Sequence, residues 1–425
     1  METMMNWVKR LTTVIVILYT TVFPHGVLAT DIEQDYTDAR KAYLSSWISM
    51  AAYNGLIGKV AREELKKENW ILRKAEISNE SGHAKFLIAE SADTDLEPLT
   101  IVAVTGTSDF TDIKADLSVS KIAWNESDSE SMVHRGFKRY ATSIWDTTLE
   151  DKTVGELIKE KAQNQNFIFT GHSLGGAVST LLAARAKDEG VTSPLEVITF
   201  GAPAIGNENF SKKYEQLLDI KRIVNKGDPV SSVVQKFIGG YKPIGKEVTW
   251  NPSPDLHYFK HSMILYIDTA LRNYYDTREA YEKMIGYVPV QTDIESSMIL
   301  AFPPTIEIDG SIQADKKYIK QAMIDYYDGA FPGLVLSEKE FKDLPTALQE
   351  AADKKCKYIV THTLKVVANK NKEQEYILTL GESIYDKHGK LISYQENVTN
   401  TKMMTPIEAS LYLLILENKY IDTIF

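Results

Sequence analysis

The stretch Asn166–Ala177, NFIFTGHSLGGA, constrains this chain more than any other. A β-rich run, Ile168-Phe169-Thr170, ends at Gly171, and Leu174-Gly175-Gly176-Ala177 opens an alanine- and leucine-rich helical pattern that reaches Lys187. Ser173 therefore stands between glycines at a strand-to-helix seam. A nucleophilic serine needs such a seam, because a tight turn lifts its hydroxyl clear of the sheet and small neighbours avoid clashes with strand and helix. An ordinary glycine-rich turn has the same sequence. At average composition, a chain of 425 residues contains Gly-x-Ser-x-Gly by chance about one time in ten. The remaining sequence decides between the two.

Short buried β patterns recur at Pro98–Gly106, Leu195–Pro203 and Ile220–Pro229, each closing on glycine or proline, with helical patterns between them. Such alternation predicts an α/β fold with a largely parallel sheet, whose ligands gather at the carboxyl ends of the strands. Upstream, Asp35–Glu68 has apolar residues at helical spacing, and Trp70–Glu90 alternates around SNESGH as a hairpin would. The Pro303-Pro304 pair follows a mixed stretch, and we place the domain boundary near residue 290. The second unit, 291–425, reads as a strand near Met298, a helix over Gln313–Tyr327 and a strand over Gly333–Leu336. A helix over Glu338–Lys354, strands over Tyr358–Val366, Glu375–Tyr385 and Leu391–Val398, and a helix over Pro406–Leu416 complete it.

The N-terminus carries Lys9 and Arg10 before an apolar run from Val14 to Phe23, then Val27-Leu28-Ala29. That pattern predicts a signal peptide over 1–29, cut after Ala29, and a secreted or periplasmic protein; an uncleaved anchor is the alternative. With one cysteine, Cys356, the chain forms no internal disulfide, which suits a bacterial exported product. A net charge of −10 argues against nucleic acid as a partner and leaves uncharged esters open.

A serine nucleophile needs a histidine base, and the base needs a carboxylate to hold its tautomer. His257 and His261 follow Ser173 within the first unit. His261 opens HSMILYIDTALRNYY at a loop-to-helix junction, and His257, in DLHYFK, is the alternative. His172 adjoins Ser173 but points elsewhere on the turn and reads as structural, and His134 as a packing or hydrogen-bonding residue. Asp228 ends RIVNKGDPV in a Gly-Asp-Pro turn that can aim its side chain at the strand ends. Asp219 lies at the opposite end of that strand, and Asp255 is a weaker loop candidate. For the oxyanion, the helix start offers the Leu174 amide, and Thr107, just past Gly106, offers an amide and a hydroxyl. Phe110, Ile113 and Leu117 form one face of a short amphipathic segment over 109–117, which suits a lid over an acyl pocket and equally a surface helix.

Taken together, VAVTGTSDFTDIKADL, MVHRGFKRY, FTGHSLGGAVSTLLA, ITFGAPAIGN, IVNKGDPV and HSMILYI resemble the lipase class 3 family, the fungal-lipase-like α/β-hydrolases, over most of residues 35–285. The resemblance implies Ser173 as nucleophile, Asp228 as acid, His261 as base, and Thr107 with Leu174 as oxyanion hole. It favours His261 over His257 because Tyr266 stands five residues on. Thr105 replaces the arginine usual before the oxyanion glycine, and Ile113 replaces a tryptophan frequent in the lid helix, which puts lid behaviour in doubt. The resemblance thus implies an α/β-hydrolase domain over 30–290 that cleaves acyl-lipid esters, with no metal or cofactor, and touches a lipid interface transiently. A phospholipase A1 or a soluble-ester or feruloyl esterase is the alternative activity. An envelope binding protein on an inactive hydrolase scaffold is the alternative of another class.

The C-terminal unit resembles more weakly the small α/β module at the N-terminus of the translocation protein TolB, through ALQEAADKKCKYIVTHTLKV and YILTLGESIYDKHGKLISY. It is expected to be an accessory α/β domain for an envelope or protein partner. His362 and His388 lack metal-ligand partners at useful spacing, and Cys356 reads as a small buried residue.

Overall fold

The computed structural model describes residues 28–67, 69–79, 82–91, 98–106, 121–126, 128–163, 165–230, 240–286, 299–330, 334–372 and 374–421. The leader up to residue 27, Thr107, the 109–117 segment and the boundary near 290 lie outside them. The chain divides into two compact units. One holds Asp38–Pro252 with Tyr258–Ala270; the other holds the described residues through Thr37, Ser253–His257, and those from Leu271 onward.

Helices α1 (Leu28–Ala52) and α2 (Leu56–Lys67) lead into strands β1 (Trp70–Asn79), β2 (Gly82–Ser91) and β3 (Leu99–Val104). A small pair, β4 (Lys121–Asn125) and β5 (Asp128–His134), precedes α3 (Arg135–Trp145), and β6 (Thr148–Leu149) and β7 (Lys152–Thr153) precede α4 (Val154–Ala162). Then follow β8 (Asn166–His172), α5 (Leu174–Asp188), β9 (Glu196–Phe200), α6 (Glu208–Glu215), β10 (Asp219–Asn225), β11 (Lys246–Trp250) and α7 (Met263–Ile285). The expected single helix over 35–68 is broken: α1 stops at Ala52 because Asn54-Gly55 favours a turn, and Tyr53 N–H closes it on Met50 O at 3.0 Å.

The seven-stranded sheet runs β1-β2-β3-β8-β9-β10-β11, antiparallel over β1–β3 and parallel from β3 to β11. Strand β8 is buried from Phe167 to His172, as a central parallel strand covered on both faces must be. Its register pairs Val104 with Gly171 and His172 with Phe200, while Ile223 of β10 pairs with Phe200. The carboxyl ends of β3, β8, β9 and β10 therefore lie side by side. Helix α5 is apolar nearly all round and buried along almost its whole length, packed on β8, β3 and β9.

The second unit contains β12 (Ile299–Ala301), β13 (Thr305–Ile308), α8 (Asp315–Ala330), β14 (Leu334–Leu336), α9 (Leu344–Asp353), β15 (Tyr358–Ala368), β16 (Tyr376–Asp386), β17 (Leu391–Asn400) and α10 (Pro406–Ile421). Its sheet runs β14-β12-β15-β16-β17, with β13 also on β15, so this is a smaller mixed α/β unit. Helix α9 starts later than the pattern suggested. Asp343 caps it by accepting Thr346 N–H at 2.8 Å, and Pro345 sits in its first turn, where a missing N–H costs nothing. Cys356 is buried with Leu300, Val335 and Ile359, and buried His362 meets buried Glu382 across β15 and β16 at 3.0 Å.

Next to the seam between β8 and α5, Gly175 has no room for a side chain. A Cβ on Gly175 would lie 2.1 Å from the Val104 carbonyl oxygen, a backbone atom that cannot swing aside. Gly175→Ala is therefore expected to lower unfolding stability by about 3 kcal/mol in urea titrations, and a loss under about 0.5 kcal/mol would contradict this packing.

Candidate active site

Ser173 occupies the turn between β8 and α5 with φ 58° and ψ −128°, a conformation rare for any residue but glycine. Such strain costs about 1–3 kcal/mol and persists where surroundings over-determine it. Here Ser173 N–H donates to Phe200 O at 2.8 Å, and the Ser173 carbonyl accepts from Gly176 and Ala177 as α5 begins. Leu174, the first helical residue, is buried, and its amide has no carbonyl within its own helix to meet. The Ser173 side chain is buried, and its Oγ makes no hydrogen bond among the described residues. The serine-to-histidine bond is thus not closed here; such bonds commonly tighten only around substrate.

Asp228 and His261 are brought together. His261 Nδ1 lies 2.8 Å from Asp228 Oδ2, both side chains almost fully buried. The carboxylate accepts, so Nδ1 carries the proton and Nε2 presents its lone pair. Asp228 also accepts the Val230 N–H on Oδ1 at 2.8 Å and the Tyr266 hydroxyl on Oδ2 at 2.6 Å. Tyr266 in turn accepts Asn225 N–H at 3.0 Å. Burial first, and then the neighbouring Asp228 charge, hold the Tyr266 phenol well above its usual pKa, so it remains a donor. These donors thus hold a buried carboxylate in one orientation. Gly201, at φ +59°, makes room for it: a Cβ there would lie 2.7 Å from Asp228 Oδ2 and 2.9 Å from His261 Nδ1.

The other candidates fall elsewhere. His257 and Asp219 are exposed, and Asp219 begins β10 at the end opposite Asp228. His134 is buried as the cap of α3 and accepts Phe137 N–H at 3.2 Å. The described chain at the end of β3 stops at Gly106, one residue short of Thr107. Thr105 donates its hydroxyl to Ala52 O at 3.1 Å.

One neighbour of the site went unnoticed in the sequence. Tyr53, in the break between α1 and α2, sends its hydroxyl to His172 Nδ1 at 2.9 Å and receives Gly106 N–H at 3.2 Å. His172 Nε2 reaches the His261 carbonyl at 2.7 Å, and the two imidazoles lie 4.6 Å apart. The available signal was Asn54-Gly55 interrupting a helical pattern, which leaves the preceding tyrosine at a helix end.

Residues 101–237 match the family model described as Lipase (class 3). The chain is 30% identical over 126 residues to the secreted mono- and diacylglycerol lipase 1 of Fusarium solani, covering 29% of this chain and 35% of that protein. It is 35% identical over 116 residues to the chloroplastic phospholipase A(1) DAD1 of Arabidopsis thaliana, covering 26% of each. The chain thus spans about a third or less of the length of these curated relatives. A lipase from Rhizopus microsporus var. chinensis aligns with TM-score 0.43 and 20% identity, covering 50% of this chain and 74% of its own. The class 3 lipase match thus covers residues 101–237, about a third of the chain.

Proposed function

We propose that the first unit is a serine hydrolase that cleaves carboxylic ester bonds of acyl lipids through an acyl-enzyme. The observation that carries this reading is the buried Asp228–His261 hydrogen bond at strand ends that also hold Ser173 in a left-handed turn. His261 Nε2 takes the Ser173 proton as Oγ attacks the ester carbonyl. Asp228 stabilises the imidazolium, and the Leu174 amide with Thr107 receives the oxyanion. When the tetrahedral intermediate collapses, the alcohol leaves with the proton from His261. Water, deprotonated by the same ring, then releases the fatty acid and restores Ser173.

The match of residues 101–237 to the class 3 lipase model supports a lipid ester as substrate, and relatives named as acylglycerol lipase and as phospholipase A1 define the two head-group classes to compare. We further propose export, with cleavage after Ala29, from the basic and apolar pattern of the leader. The C-terminal unit is read as an accessory domain for an envelope or protein partner.

A fluorophosphonate probe is expected to label the wild-type protein at Ser173, and Ser173→Ala is expected to lose label and at least about 10⁴-fold in kcat. Labelling that persists in Ser173→Ala would sink the enzyme reading and leave the binding-protein alternative. Turnover of emulsified triacylglycerol, phospholipid and short soluble esters then separates lipase, phospholipase and esterase.

Tyr266→Phe removes a donor to Asp228 and leaves Asn225 N–H without its acceptor. Urea unfolding is expected to show a loss of about 1–3 kcal/mol. With a soluble ester, kcat is expected to fall about tenfold, a barrier change of roughly 1.4 kcal/mol. Unchanged kcat with intact stability would remove Tyr266 from the site.

A further inference from the structure

We propose that Tyr53 and His172 form a strut of fixed proton direction that holds the main chain of His261 against the end of β3, which makes both of them positioning residues for the base. The inference rests on the triad reading of Ser173, Asp228 and His261. Its argument begins from atoms that can act in only one sense. The His261 carbonyl can only accept, so His172 Nε2, 2.7 Å away, must carry a proton. The Gly106 amide can only donate, so at 3.2 Å it occupies a lone pair of the Tyr53 hydroxyl oxygen.

The link between them is then determined by the charge of His172. The ring is enclosed: Tyr53 lies on one side, the His261 ring at 4.6 Å and the Tyr266 ring at 5.8 Å on the others, with Asp228 beyond His261. Burial, and then the nearby His261, depress its pKa well below the ordinary histidine value. A neutral ring with a proton on Nε2 offers a lone pair at Nδ1, which the Tyr53 O–H satisfies at 2.9 Å. Every proton therefore points one way, from Gly106 N–H to Tyr53, from Tyr53 O–H to His172, and from His172 Nε2–H to His261. Reversal of the ring's tautomer would set Nε2 and a carbonyl oxygen lone pair to lone pair.

Three parts of the chain meet in this line: the end of β3, the residue before Ser173, and the backbone of the base. Tyr53 is itself tied down, since its carbonyl accepts Arg62 Nη1 at 2.7 Å and Lys74 Nζ at 3.2 Å. The neutral state matters for turnover. His261 becomes an imidazolium in each half-reaction, and a second cation 4.6 Å away would oppose it.

The test uses the full chain labelled with ¹⁵N-histidine, with the His172 resonance identified by its disappearance in His172→Gln. The ring is expected to show the Nε2–H tautomer alone and to stay neutral across about pH 5–8, where an ordinary histidine titrates. An Nδ1–H tautomer, or titration in that range, overturns the proposal whether or not the chain is an esterase. Tyr53→Phe, checked for folding by near-UV circular dichroism, removes the donor to His172 Nδ1 and is expected to loosen the ring while the His261 carbonyl keeps the proton on Nε2. It should slow fluorophosphonate labelling of Ser173 and lower kcat about 10- to 100-fold with KM within about twofold, the scale of a base displaced by a fraction of an ångström. The acidic limb of its kcat profile should also move, which a merely structural tyrosine would not cause. A folded Tyr53→Phe with wild-type kcat and pH profile overturns the proposal. Failure of the triad reading itself would show instead as activity retained in Ser173→Ala.

Discussion

The contact on which the site depends is the approach of the first turn of α5 to the ends of β3 and β8. No side chain fits at Gly175, where the helix meets the Val104 carbonyl, and so the chain must turn sharply at Ser173. That turn places a hydroxyl and the first free amides of a buried helix at one point. The strain it imposes is offset by a helix buried almost along its full length and by backbone hydrogen bonds from Ser173 to β9 and into α5. A helix that could slide outward would relax the serine and lose the geometry.

Around that turn, the buried Asp228 carboxylate and the His172 ring each find hydrogen-bond partners. Asp228 is buried with His261, Val230 and Tyr266 as donors, and Gly201 leaves the space in which they converge. On the other side, His172 and Tyr53 are saturated by groups of the main chain and by each other. A carboxylate or imidazole buried without such partners would protonate or neutralise in ways that defeat base catalysis. Burial beside the His261 ring disfavours a charge on His172.

Much of the fold was legible because central parallel strands are buried on both faces and leave uninterrupted β-rich runs between helical patterns. Strands β3, β8, β9 and β10 and helix α5 stand within a few residues of where those runs place them. The second unit was legible through its hairpins β15–β16–β17, while β13 was too short to leave a period. Misreadings came at helix ends. Asp35–Glu68 keeps its apolar spacing through Tyr53-Asn54-Gly55, and only the turn preference of Asn-Gly marks the break. Asp343 and Pro345 begin α9 later than the spacing of its apolar residues suggests.

The sequence by itself determined which side chains could do acyl-transfer chemistry and in what order they occur, because the glycine turn at Ser173 and the Gly-Asp-Pro turn at Asp228 are local backbone requirements. It also determined the parallel α/β character, since burial on both faces leaves its mark on composition. Only the tertiary structure decided that Asp228 and His261 meet, that Tyr266 braces them, and that Tyr53 reaches His172 across more than a hundred residues. Those contacts depend on strand order and register, through which β3, β8, β9 and β10 end side by side, and no local pattern encodes which strands become neighbours.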